Sequence, residues 1–227
     1  MLATRTKRGF GILVLALVSL LFSSLIASAH GYTTSPMSRQ KQCQNGSQAN
    51  CGAIQWEPQS VEGPKGFPGS GPADGRICSA GLAQFSELDN PNRGWQRTGV
   101  RNGAGFTFSW TFTAAHATTS FRYFVTRNGW NPSVPLTRAA LDPAPFLTVN
   151  YGSQRPPFSL SHSGNLPTGK SGRHMILAVW DIADTANAFY SCSDFDFSLR
   201  PARNGVDAPV FAAAHGGRRG GWGGYLT

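Results

Sequence analysis

The chain has 227 residues, 40% hydrophobic and 14% charged, and its 20 Lys and Arg against 11 Asp and Glu give a formal charge of +9. Three of those positive charges lie in residues 1–29 and a net three in 200–227, leaving a modest excess between. No run of Lys or interleaved Arg tracks a phosphate backbone, which argues against a nucleic-acid partner.

The chain opens as a secretory signal, with Arg5, Lys7 and Arg8 ahead of an apolar run from Gly11 to Ala27 that is too short for a membrane anchor. Ala27-Ser28-Ala29 supplies the small-x-small cleavage pattern. The expected organisation is a signal over 1–29, one domain over 30–199 and a Gly/Arg-rich disordered tail over 200–227. Such a chain is exported, extracellular and free of the membrane once cleaved. Cleavage leaves His30 at the N-terminus, where the α-amine and ring Nδ1 of one residue can chelate one metal ion.

Residues 31–104 are rich in Gly, Pro, Ser, Asn and Gln and show no sustained periodicity; a loop region this long is usually functional. One short helix is expected around Ser79–Leu88. Four cysteines in an exported chain imply disulfides. Cys43 and Cys51 flank the polar segment Gln44–Asn50 and are expected to close a local loop, leaving Cys78 to bridge to Cys192. A zinc site would need tighter paired spacings, such as C-x₂-C.

From Phe106 to Thr113, aromatic residues alternate with Thr and Ser, a period of two that marks a half-buried strand. Ser120–Thr126 reads as a second strand with Phe121, Tyr123 and Val125 on one face. His116 lies in the exposed turn between them, with Ala114 and Ala115 leaving room around it. Further strands are expected at Phe146–Asn150, at His174–Asp181 (buried on both faces) and at Phe189–Leu199. His162, within Ser161-His162-Ser163-Gly164, reads as a solvated loop residue, and His174 as a structural hydrogen-bonding one. Short punctuated strands with almost no helical periodicity point to an all-β, antiparallel β-sandwich.

His30 and His116 together offer three nitrogens, a set suited to copper, which favours tetragonal N/O surroundings and leads the divalent ions in affinity. Zinc prefers a tetrahedral site with more protein ligands. A hydrolytic carboxylate pair would have to be drawn from Glu57, Glu62, Asp181 and Asp184.

The segments His30-Gly31-Tyr32, Gln55–Gly63, Gly71–Gly75, Thr113–His116, Pro135–Arg138 and Ala178–Tyr190, in that order, resemble bacterial lytic polysaccharide monooxygenases of the chitin-binding protein type (auxiliary activity family ten, chitin-binding type-4 domain). The resemblance runs from His30 to about Phe197. It implies a fibronectin type III/immunoglobulin-like β-sandwich with a long loop region containing short helices. It also implies one copper ion held by His30 and His116. Phe189 matches the aromatic residue at one axial side, Ala114 the small residue at the other, and Glu62 the carboxylate that positions the oxygen co-substrate. Trp180 matches a buried Trp near the metal. Trp56, Glu57, Gln59, Ser60, Asp184 and Asn187 match a flat substrate face. Ala115 stands where an Arg often precedes the second His. The activity implied is oxidative cleavage of β-1,4 bonds of crystalline chitin at C1, using an external reductant with O2 or H2O2, by a monomer. The alternatives are a chitin-binding adhesin without turnover, a cellulose-active monooxygenase and a copper carrier.

Overall fold

A computed structural model describes residues 29–198. The expected signal, but for Ala29, and the expected tail lie outside the described residues. Among the described residues, nine strands form two sheets: β1 (His30–Ser35), β2 (Glu62–Pro64), β3 (Arg97–Gly99), β4 (Gly105–Ala114), β5 (Thr118–Val125), β6 (Leu147–Gln154), β7 (Ser159–Asn165), β8 (Arg173–Ile182) and β9 (Asn187–Asp196). The smaller sheet runs β1-β4-β7 and the larger β2-β9-β8-β5-β6, with β3 added parallel to β9 and every other pairing antiparallel. The expected β-sandwich is the observed fold.

The alternation legible in the sequence sets which residues face inward. Phe108, Trp110 and Phe112 of β4 meet Phe121, Tyr123 and Val125 of β5 and Ile176, Ala178 and Trp180 of β8 in a core between the sheets. Each buried side chain of this size contributes about 1.5–3 kcal/mol through removal from water. The opposite faces of β8 and β9 bury Met175, Leu177, Val179, Tyr190 and Cys192 against Ile54, Val61, Phe67, Ile77, Phe85 and Leu88 of the long loop region. The loop region is therefore a third layer, and β8 is covered on both faces as expected.

Both expected disulfides, Cys43–Cys51 and Cys78–Cys192, are present, and the second staples the loop layer to β9. Some expectations fail. The helix expected at Ser79–Leu88 is a 3₁₀ segment at Ala83–Asp89, broken at Phe85, where the backbone leaves helical geometry. The only α-helix among the described residues, α1 (Arg39–Gln44), is capped by the Ser38 side chain accepting from Lys41 N. β1, β2, β3 and β7 arise where no strand was expected; the first three only add pairing to longer strands, and β7 replaces the loop expected around His162.

Candidate metal centre

One end of the sandwich gathers the residues singled out by sequence. β1 pairs with β4 in a register that sets His30 opposite Ala114, and the chain reaches His116 two residues later. Two strand ends thus bring the two histidines, 86 positions apart, to one edge. Gly31 permits this approach. A Cβ there would lie 2.6 Å from Phe112 Cδ1 and 3.0 Å from Trp180 Cζ3, both in the core.

His116 is buried rather than exposed as expected of a turn residue. Its Nδ1 lies 2.8 Å from Oδ1 of Asp184, whose carboxylate is about half exposed. An ionised carboxylate only accepts, so Nδ1 is the donor, and in the neutral imidazole Nε2 is then the acceptor nitrogen. That Nε2 is buried and has no hydrogen-bond partner. Burying such an atom without a partner costs about 1–3 kcal/mol, and a ligand bound there would offset that cost. The Asp184 contact exists because the β8–β9 turn lies against the β4–β5 turn, where Ala183 N donates to Ala117 O at 2.8 Å.

The loop after α1 closes another side. Gly31 N donates to Gln59 O at 3.1 Å, tying the Trp56–Ser60 segment to β1. Trp56 is 78% exposed, Glu57 is exposed, and Gln59 and Ser60 are half-buried beside it. Glu62 begins β2 opposite Phe189 of β9, and its Oε1 accepts from Asn187 Nδ2 at 2.9 Å. Phe189 is fully buried with its ring 4.8 Å from that of Trp180, whose Nε1 donates to Thr118 Oγ1 at 2.7 Å. Ala114 and Ala115 are half-buried at the end of β4.

Asp184 and Asn187, expected on a substrate face, also hold His116 and Glu62, respectively. Their spacing to those partners, 68 and 125 residues, carries no sequence signal. Two of the four carboxylates weighed for a hydrolytic pair, Asp181 and Asp184, are held by other partners. Asp181 is bound by Arg122 through two hydrogen bonds, of 2.7 and 3.0 Å, and by Ser120, while Asp184 is committed to His116.

His162 is not the solvated loop residue expected. It lies buried on β7, its Nδ1 2.8 Å from the Tyr123 hydroxyl, and burial pushes its pKa down to about 4. His174 bonds to Thr126, as expected of a structural histidine. Among the described residues, no group of three or more His, Cys, Asp or Glu side chains could hold a metal ion. Among side chains of these types, His30 and His116 therefore offer at most a two-residue set.

A profile of the family described as "Lytic polysaccharide mono-oxygenase, cellulose-degrading" matches residues 30–195. The chain is 50% identical over 177 residues to "GlcNAc-binding protein A" of Shewanella oneidensis, covering 77% of this chain and 37% of that one. It is 47% identical over 189 residues to "AA10 family lytic polysaccharide monooxygenase C" of Mycosarcoma maydis, covering 82% and 57%. The chain thus spans between about a third and three fifths of the length of these relatives. Among solved structures it resembles an AA10 lytic polysaccharide monooxygenase from Streptomyces lividans, with a TM-score of 0.73 and 60% identity over 74% of this chain and all of that one. It also resembles Bacillus amyloliquefaciens CBM33 in complex with Cu(I), with a TM-score of 0.67 and 40% identity over 74% and 99%.

Proposed function

The chain belongs to the lytic polysaccharide mono-oxygenase family, and from that premise we propose that it is a secreted copper enzyme oxidising the β-1,4 bonds of crystalline chitin at C1. The observation that carries the reading is the buried, unpartnered Nε2 of His116, fixed by Asp184 and set beside His30 by the β1–β4 register. His116 Nε2, His30 Nδ1 and the His30 amine freed by cleavage after Ala29 would hold the ion. Bound copper supplies one-electron redox chemistry and, with an external reductant, activation of O2 or H2O2.

The protein's own residues do the rest. Asp184 keeps the proton on Nδ1 of His116 and so keeps Nε2 available as a ligand, the arrangement by which outer carboxylates orient metal-binding imidazoles. Asn187 occupies Oε1 of Glu62, leaving Oε2 to exchange a hydrogen bond or proton with the oxygen co-substrate. The buried Phe189 and Trp180 give the site an apolar floor that excludes water beneath it. Trp56 offers an exposed ring to stack on a sugar, and Glu57, Gln59 and Ser60 offer hydrogen bonds to hydroxyl or acetamido groups. The oxidised product is a lactone that hydrates to an aldonic acid.

Chitin is favoured over cellulose by the Trp56-Glu57-Pro58-Gln59-Ser60 stretch and by relatives named for GlcNAc binding, against a family description that names cellulose. The reading is tested by mass spectrometry of soluble products from β-chitin incubated with ascorbate and copper-loaded, processed protein. Aldonic-acid oligosaccharides are expected; their absence contradicts the enzymatic reading. A binder without turnover would be left, and His116→Ala separates the two by abolishing oxidation while retaining most binding only if catalysis is real.

A further inference from the structure

The end of β4 has a second neighbour. In the sheet order β1-β4-β7, His30 flanks β4 on one side, and the residues entering β7 flank it on the other. Phe112 N donates to Phe158 O at 2.8 Å, so the connection from β6 to β7 is anchored beside the chain leading to His116. Between them lies a concavity of about 470 Å³, walled by Thr113 to His116 on one side and Arg155 to Phe158 on the other. Its volume falls in the range of small-ligand sites.

Three features make this more than a surface dent. First, Phe158 is 69% exposed, and among the described residues it and Trp56 are the large aromatics most exposed to solvent. The Gly31–Gln59 bond ties the Trp56 segment to β1, and the Phe112–Phe158 bond ties Phe158 to β4 on its β7 side, away from β1. Second, Phe158 follows Pro156 and Pro157, whose fixed φ holds the segment extended, and Pro156 is buried. The backbone that carries the ring therefore has little conformational entropy left to lose on binding. Third, Arg155 is exposed and has no ion-pair or hydrogen-bond partner among the described residues. Ala115, with only a methyl group, leaves the concavity open where a longer side chain would fill it.

We propose that Phe158 and Arg155 form a second sugar subsite for the same polysaccharide, so that a chain stacked on Trp56 continues over His30 and His116 and stacks again on Phe158. Arg155 donates to an acetamido carbonyl or hydroxyl of that sugar, and the gap beside Ala115 receives the ring substituent. This rests on the function proposed above and adds a binding contribution from a segment outside the Trp56–Glu62 loop.

The test measures binding isotherms on β-chitin for processed, copper-loaded protein carrying Phe158→Ala, Phe158→Trp or Arg155→Ala, with copper affinity and melting temperature recorded for each. Phe158→Ala is expected to weaken chitin binding roughly three- to tenfold, the range of one aromatic contact. Phe158→Trp restores it, Arg155→Ala weakens it as well, and copper affinity stays unchanged in all three. Binding equal to that of the unsubstituted protein in both alanine variants overturns the subsite and leaves the proposed function standing. An unsubstituted protein that neither binds nor oxidises chitin overturns both.

Discussion

Asp184 Oδ1 stands 2.8 Å from His116 Nδ1, and the other ring nitrogen of that histidine is buried without a partner. The carboxylate sets the tautomer, and the tautomer decides whether Nε2 can be a ligand. Asp184→Ala removes this constraint while leaving both histidines in place. Copper affinity is expected to fall roughly 10- to 100-fold, the usual cost of losing such a partner, with Asp184→Asn in between. Calorimetric titration with Cu(II) reads it directly, and an unchanged affinity in the alanine variant contradicts the assigned role.

Gly31→Ala places a methyl group against Phe112 and Trp180, neither of which can yield without disturbing the inter-sheet core. Overpacking of this kind costs about 1–3 kcal/mol. Because Gly31 follows His30 directly, the strain also shifts His30 away from His116. The variant is expected to melt lower and to lose copper affinity, whereas a purely structural role would move only the melting temperature.

The buried His162 gives stability a pH dependence. The folded protein keeps its ring neutral down to about pH 4, while the unfolded chain protonates it near the ordinary value of about 6.5. Between those values the unfolded state binds more protons, so stability rises with pH through the window and is lost as pH falls toward 4. His174, pushed down by burial and by the Lys170 ammonium, acts in the same direction. Urea midpoints from pH 4 to 7 are expected to rise more shallowly in His162→Gln than in the unsubstituted protein.

The two disulfides close loops of very different length, with separations of 114 and 8 residues. The chain-entropy contribution is about 4–5 kcal/mol for Cys78–Cys192 and about 2–3 kcal/mol for Cys43–Cys51. Replacing Cys78 and Cys192 with Ser is therefore expected to destabilise the protein by about 2 kcal/mol more than replacing Cys43 and Cys51. Denaturant unfolding of the two double variants ranks them.

Sequence legibility follows where the physics is local. Phe106–Thr113 and Phe121–Val125 announce β4 and β5 by alternation, and Met175–Val179 announces a strand covered on both faces. β7 stayed hidden because its inward positions are Leu160, His162 and Gly164, too mixed to show a hydrophobic period. β1 hid for a related reason: its Thr and Ser residues bond to neighbours, as Ser35 Oγ does to Thr107 O, rather than advertising a core face. His30 and His116 could be picked out by type and position. The Asp184–His116 and Asn187–Glu62 contacts could not, since the first depends on two turns meeting and the second on β2 pairing with β9. The Arg155–Phe158 wall is invisible for the same reason.

We propose above that His30 and His116 make a copper site once His30 is the first residue. Its most direct test is Cu(II) titration of two secreted-type samples, one beginning at His30 and one retaining Ala29, whose peptide bond converts the His30 amine to an amide. One tightly bound ion per chain is expected in the first, and at least roughly 100-fold weaker binding in the second, the upper end of what losing even an outer partner costs. Equal affinity in the two samples would contradict it.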